Sequence, residues 1–438
     1  MGDAGLRAAL PRRRLPQRQH GVQHRRQLQP RLLRQPPGRQ ADQRLDVRRG
    51  PQGPVRRGHR ARPGPARAAL PDPEHPGRLE EHAVRPDLVV QGPAELPVRA
   101  GAMVLPRLIT ELPADVRVVA LGESAHNITE FYELKDRILR HLVEEHGFTA
   151  FVMESGFAEG LGVDAWLRGG PADEGDVAAV AAVADVARDG ITYRFGECAP
   201  MRRQLEWMRT AGVGFYGMDL PGSSTSPRPA VRVIAERTPG RDLRDLARRS
   251  DLGGRTEAVV RLAALPSAER DALLADLRAL TLRARDSRDG VVARAAASLA
   301  AFLDEQEPVR DGEPYPRDVF MADTVRWVLE REERVVVSAH NGHVQRTPLD
   351  GRPMMGALLD AELGPAMAVV GMTYDSGPVI RFTERSARPF DWDVHLEQRG
   401  PGDPAESAEG FDALVRLDHA TLIPGAFERL RAEFEEYR

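Results

Sequence analysis

VVALGESAHNITEFYELKDRILRHLVEEHGFTAFVMES, running from Val118 to Ser155, decides the fold. Its first four residues, Val118 to Leu121, are an apolar run too short for a helix, and the run stops at Gly122 and Glu123. That reads as a buried strand. From Glu130 to His146 the apolar residues Phe131, Leu134, Ile138, Leu142 and Val143 follow helical spacing, and Gly147 supplies a C-terminal stop. Phe148 to Met153 is another short apolar run and ends at Glu154. Strands that are continuously apolar, separated by a helix, point to a parallel sheet covered on both faces.

The pattern recurs outward from this stretch. Gly214 to Met218 ends at Asp219, and Arg334 to Ala339 ends at His340 behind a helix expected from Arg317 to Glu332. Met367 to Met372 is a further strand, ending near Tyr374 and Asp375. Between Pro227 and Pro308 the chain is rich in Ala, Leu and Arg at helical periodicity with few strand signals, which predicts helices inserted at about residues 228–308. Residues 86–438 are therefore expected to form one α/β domain, a mostly parallel sheet flanked by helices with an inserted helical region.

The first part of the chain is a different polymer. Residues 1–70 contain 18 Arg against Asp3, Asp42 and Asp46, a net of +15, although the whole chain carries only −3. No serine precedes Ser124 and no Phe, Tyr or Trp precedes Phe131. Such a segment cannot bury enough apolar surface to offset its ordering entropy, so residues 1–85 are expected to be a disordered Arg/Pro-rich tail. A mistranslated upstream segment is the alternative. Lys135 is the only lysine, as a GC-rich source would give, and Met103 would serve as a later start.

Several classes of protein are set aside by the same composition. No run approaches ~18 apolar residues, so no membrane span is expected. The arginines Arg12 to Arg14 are not followed by an apolar stretch, so no secretory leader is expected and the cytoplasm is the default location. The single cysteine, Cys198, excludes an internal disulfide framework and any Cys-rich metal motif. Without aromatic rings the basic tail would hold nucleic acid by charge alone, so the expected partner is a small molecule, with neither nucleic acid nor membrane involved.

Polar residues fall where the strands end. In open parallel sheets, ligands bind outside the carboxyl ends of strands, and Glu123, Glu154, Asp219 and His340 sit at or just past four such ends. His126 and His343 follow three residues after Glu123 and His340. Six titratable groups would then converge on one rim. His126 is placed to act as a general base, since an unperturbed histidine titrates near pH ~6.5. Asn127 with Glu130 fits a helix N-cap and its reciprocal glutamate. Asp219, before Pro221, reads as a turn residue that at most supports the site from behind. The glycines Gly212, Gly214 and Gly217 match a dinucleotide fingerprint but run through a strand, so that match carries nothing. His141 and His146 lie about 140° apart around a helix and read as a solvated face.

These residues also carry a family resemblance. The stretch from Val118 to Ser155, followed by RDVFMADTVRWVLEREERVVVSAHNGHV from Arg317 to Val344, resembles the erythromycin esterase family through its paired GE-x-x-H and HN-x-H motifs. The resemblance implies hydrolysis of an ester, which in the best-known members is the macrolactone of fourteen-membered macrolide antibiotics. It implies that His126 deprotonates water, that Glu123 and Glu154 orient and polarise it, and that His340 and His343 bind or protonate around the reacting carbonyl. Lys135 and Asn341 would then contact substrate. No cofactor is required for this chemistry. Two alternatives stay open: a metal-dependent hydrolase whose ion is held by His126, His340, His343 and Glu154, and a ligand-binding protein without turnover. The chain departs from the family pattern at Asn127, where glycine is usual, and at Ser338, where an aromatic residue often stands. Both positions adjoin the site and bear on which ester fits.

Overall fold

The short apolar runs become strands. In the structure, a computed structural model that describes residues 105–169, 177–238, 242–253, 255–386, 391–400 and 407–436, β1 (Val118–Leu121), β2 (Ala150–Gly156), β3 (Gly214–Asp219) and β4 (Val335–Ser338) are almost wholly buried. With the start of β5 (Met367–Glu384) they form a parallel sheet in the order β3-β2-β4-β1-β5. The chain is thus a mixed α/β protein with a mostly parallel sheet flanked by helices. The Arg-rich segment 1–85 and Met103 lie outside the described residues.

Register fixes the rim. Leu121 of β1 and Met153 of β2 both lie opposite Ser338 of β4, so Glu123, Glu154 and His340 leave the sheet at one level, one or two residues further on. The helix Thr129–His146 buries Phe131, Leu134, Ile138, Leu139 and Leu142 in the core, and Gly147 ends it at φ 68°, a left-handed backbone that glycine adopts without strain. Helices Arg228–Arg237, Arg244–Arg249, Arg255–Ala264, Ser267–Ala284 and Gly290–Asp304 occupy the region between Pro227 and Pro308. They build a second apolar cluster around Leu273, Leu277, Leu299 and Phe302, joined to the sheet domain through Phe157, Leu220 and Phe320. Among the described residues, no helix is long and apolar enough to cross a membrane.

Three local expectations are corrected. First, β5 does not stop at Met372. It runs on to Glu384, pairing in parallel with β7 (Ala413–His419) and then antiparallel with β6 (Trp392–Arg399). Beyond Gly377 one face of the hairpin carries the exposed Arg381 and Glu397 while Phe382 and Trp392 pack on Phe434 from the other, so its sequence lacks the continuous apolar character that marks the other strands.

Second, Asn127 does not cap the helix. It sits at φ 62°, Ile128 takes the cap position without a side-chain bond, and the Glu130 carboxylate accepts from the backbone N–H and hydroxyl of Thr421 at 2.8 and 2.7 Å. A contact distant in sequence has taken the glutamate. Asparagine, like glycine, tolerates that left-handed backbone. Third, His141 and His146 do approach each other, with ring centroids 5.3 Å apart, and the Nε2 atom of each is buried without a hydrogen-bond partner.

Candidate active site

The loop after β1 and the following helix build the first half of the site. Glu123 Oε1 lies 2.7 Å from His126 Nδ1, and Glu123 Oε2 accepts from Lys135 Nζ at 2.7 Å. Lys135 reaches it because it lies on the buried stripe of helix Thr129–His146. Burial alone would raise the Glu123 pKa, but the Lys135 charge and the His126 hydrogen bond pull it down to about 2. An ionised carboxylate only accepts, so in the neutral ring of His126 the proton sits on Nδ1 and Nε2 carries the lone pair. The His126 side chain is 34% exposed while its two partners are buried, so it is the member of the chain that meets solvent.

The second half is a buried ion network. Arg317 donates to Asp219 through Nε and Nη2 at 2.8 and 2.6 Å, and to Glu154 through Nη2 at 2.7 Å. The arginine stands in the first turn of helix Pro316–Leu329, where the macrodipole disfavours a cation. The two carboxylates offset that. Burial raises the Glu154 pKa, yet His343, Arg317 and the backbone N–H of His340, at 2.8 Å, hold it well below the usual carboxylate range. His343 Nδ1 donates to Asp318 at 2.8 Å. Its Nε2 lies 3.2 Å from Arg317 and 3.5 Å from Glu154. Burial lowers the His343 pKa, but Asp318 and Glu154 outweigh it and the net direction is upward.

His340 stands between the halves. Its Nδ1 accepts from the backbone N–H of Gly342 at 3.1 Å, so in the neutral ring the proton is on Nε2, which points to the Ser124 carbonyl at 3.3 Å. Burial and the neighbouring His126 push its pKa down to about 4, which makes it a neutral N–H donor at neutral pH. The His126 and His340 ring centroids are 5.2 Å apart. Glu123, Lys135 and Glu154 also line a cavity of about 20 Å³, room for roughly one water.

All five residues expected to carry catalysis, His126, Glu123, Glu154, His340 and His343, thus meet on one rim. The two expected to touch substrate are placed differently. Lys135 is buried against Glu123, and Asn341 is wholly buried with its amide bonded to both main-chain groups of Met372. A Cβ on Gly122 would meet that amide at 2.0 Å, so glycine there permits the clamp. Asp219 is more than a turn residue, being the two-pronged partner of Arg317.

The four groups proposed as metal ligands share the rim but do not close on one point. Arg317 occupies the space by Glu154 and His343, and among the described residues no three His, Cys, Asp or Glu side chains converge as a metal needs.

Arg317, Asp318 and Tyr193 were not anticipated. The readable signal was an arginine directly behind a proline at a helix start, against the dipole. Tyr193, whose hydroxyl donates to Asp219 at 2.9 Å, gave none.

The erythromycin esterase family model matches residues 143–419, well over half of the chain. Glu154, Arg317, His340 and His343 lie within that stretch, and Glu123, His126 and Lys135 precede it. Erythromycin esterase type II of Escherichia coli is 26% identical over 313 residues, covering 61% of this chain and 71% of that protein. Erythromycin esterase type I of Escherichia coli is 22% identical over 299 residues, covering 60% and 69%. Among solved structures, a mutant of the erythromycin esterase EreC in its open conformation aligns with a TM-score of 0.52 at 21% identity, covering 67% of this chain and 78% of that one. A Bacillus cereus protein aligns with a TM-score of 0.52 at 16% identity, covering 74% and 93%. At these identities the structural likeness speaks for the fold.

Proposed function

Because the chain belongs to the erythromycin esterase family, we propose that it is a hydrolase that cleaves a carboxylic ester, with water as the direct nucleophile and His126 as its base. The observation that carries this reading is a carboxylate-held imidazole, His126, with its free Nε2 beside the neutral His340.

His126 Nε2 takes a proton from water as the oxygen attacks the carbonyl carbon. The resulting imidazolium is stabilised by Glu123, which Lys135 keeps ionised. A positioned base of this kind contributes typically ~10² to 10⁴-fold. His340 Nε2–H, resting on the Ser124 carbonyl, turns to the oxyanion as charge develops there, and one such donor is worth about 3 kcal/mol in a site that excludes water. The tetrahedral intermediate collapses with loss of the alkoxide, which is reprotonated by the His126 imidazolium. Arg317 and Asp219 fix Glu154, and Asn341 fixes the His340 turn to the strand end.

Direct attack by water is favoured over an acyl-enzyme. The Ser124 hydroxyl is buried without a hydrogen-bonded base, and burial pushes the Cys198 thiol pKa up, away from the reactive thiolate. A macrolide lactone is the first candidate substrate, since the two Escherichia coli relatives described above are named for erythromycin.

The experiment is incubation with fourteen-membered macrolides and 4-nitrophenyl esters, followed by mass. Gain of one water on a panel member is expected. Intact substrates throughout would contradict the proposal.

A further inference from the structure

Two short loops beside the rim carry an unusual backbone. Tyr193 and Arg194 lie at φ 56° and 62°, and Ser223 and Ser224 lie at 55° and 63°. Side chains rarely adopt this region, and consecutive pairs persist only where the surroundings over-determine them. Here the two loops bind each other. The Tyr193 N–H donates to Ser223 Oγ at 3.0 Å, and the Tyr193 hydroxyl meets Asp219 Oδ2 at 2.9 Å and Ser224 Oγ at 2.8 Å. The first loop is also tied to the end of β2: the Thr192 N–H donates to Ser155 Oγ at 2.9 Å, and the Gly156 N–H donates to Thr192 Oγ1 at 3.0 Å.

This loop touches both halves of the site. Tyr193 reaches Asp219 and lies under the Arg317 guanidinium, which is 5.7 Å from its ring centroid. Two residues on, the Phe195 ring packs on Tyr193 at 5.4 Å and on His126 at 5.0 Å. An ordinary right-handed or extended backbone at Tyr193 and Arg194 would send these two rings in other directions.

We infer that Tyr193 is a positioning residue: its left-handed loop spans from the Asp219–Arg317 ion pair to the ring against His126, and so sets the spacing between the base and the Glu154 side of the site. This deepens the proposed reaction and rests on His126 being its base. Misplacement by about 1 Å at a reacting group costs on the order of 10²-fold, so the loop has leverage without touching substrate.

Three variants separate this role from simple turn formation. Glycine accepts φ 56° freely, so Tyr193→Gly keeps the turn while removing ring and hydroxyl. The expected result is a kcat at least about 10-fold lower on 4-nitrophenyl butyrate or erythromycin and a KM near wild type, with a cooperative thermal transition at a lower midpoint because the ring and both hydroxyl bonds are lost. Tyr193→Phe keeps the ring and loses the hydroxyl's bonds to Asp219 and Ser224, with a smaller fall in kcat. Arg194→Gly relaxes the neighbouring position and should retain wild-type kcat.

Imidazole nitrogen NMR of His126 gives a readout independent of turnover. Its resonances should move in Tyr193→Gly and stay in Arg194→Gly. Wild-type kcat and unmoved His126 resonances in Tyr193→Gly, with His126→Ala inactive, would overturn the inference alone. Full turnover by His126→Ala would overturn the proposed base and the inference together. If Tyr193→Gly does not fold, Tyr193→Phe decides: a lowered kcat with moved His126 resonances supports the inference, and wild-type kcat with unmoved resonances overturns it.

Discussion

Replacing Lys135 by Met should unbalance the base-bearing half of the site. The ammonium lies 2.7 Å from Glu123 Oε2, and both side chains are at most 10% exposed. Glu123 is shifted from its ordinary 4.5 down to about 2, which at 1.36 kcal/mol per unit corresponds to about 3 kcal/mol of preference for the ionised form. The Lys135 charge is the largest single cause of that lowering, so Lys135→Met should cost about 2 to 3 kcal/mol. That agrees with the usual cost of stranding one member of a buried pair, about 3 to 5 kcal/mol. Removing both charges in Glu123→Gln/Lys135→Met should return stability to within about 1 kcal/mol of wild type, while activity stays low because His126 has lost its ionised partner. Urea unfolding near neutral pH reads the first quantity and ester turnover the second. An unchanged midpoint in Lys135→Met, or a double variant as unstable as the single one, would refute the reasoning.

Other consequences follow from the same geometry. His340 is shifted from 6.5 down to about 4, so the unfolded chain binds the proton first as pH falls. Stability should be complete above about pH 6.5 and decline toward pH 4 by up to about 3 kcal/mol. Urea midpoints across that range should show this slope in wild type and a flatter one in His340→Gln; equal slopes would contradict it. Arg317→Met leaves Asp219 and Glu154 buried without their cation and should cost about 3 to 5 kcal/mol, which an unaltered unfolding midpoint would disprove. At Asn127, with φ 62°, alanine should destabilise by about 1 kcal/mol and glycine should be neutral or slightly stabilising. Identical melting of the two variants would argue against the left-handed backbone.

Much of the site was readable before the structure because strand ends are marked in the sequence. Val118–Leu121 and Val335–Ser338 are short, continuously apolar and followed at once by polar residues, so a parallel sheet puts Glu123 and His340 at one edge without further information. Roles were harder to read than places. Lys135 resembles a solvent-facing helix lysine until the stripe it occupies is seen to be the buried one. Asn341 resembles a ligand-facing amide until the main chain of Met372 is found against it. Arg317 and Tyr193 escaped because their partners are distant in sequence: Asp219 and Glu154 meet Arg317 only when β2, β3 and the helix start are packed together. The Asn127 cap failed for a related reason, since Thr421 competes for Glu130 and nothing near residue 130 reports it. The β5–β6 hairpin carries no such mark, because an exposed hairpin has no continuous apolar run.

The most direct test of the base is the kcat of His126→Ala against wild type on whichever macrolide or activated ester gains water. A fall of about 10² to 10⁴-fold with KM little changed is predicted. Retention of kcat within a few-fold of wild type would contradict the assignment of His126 as the group that activates water.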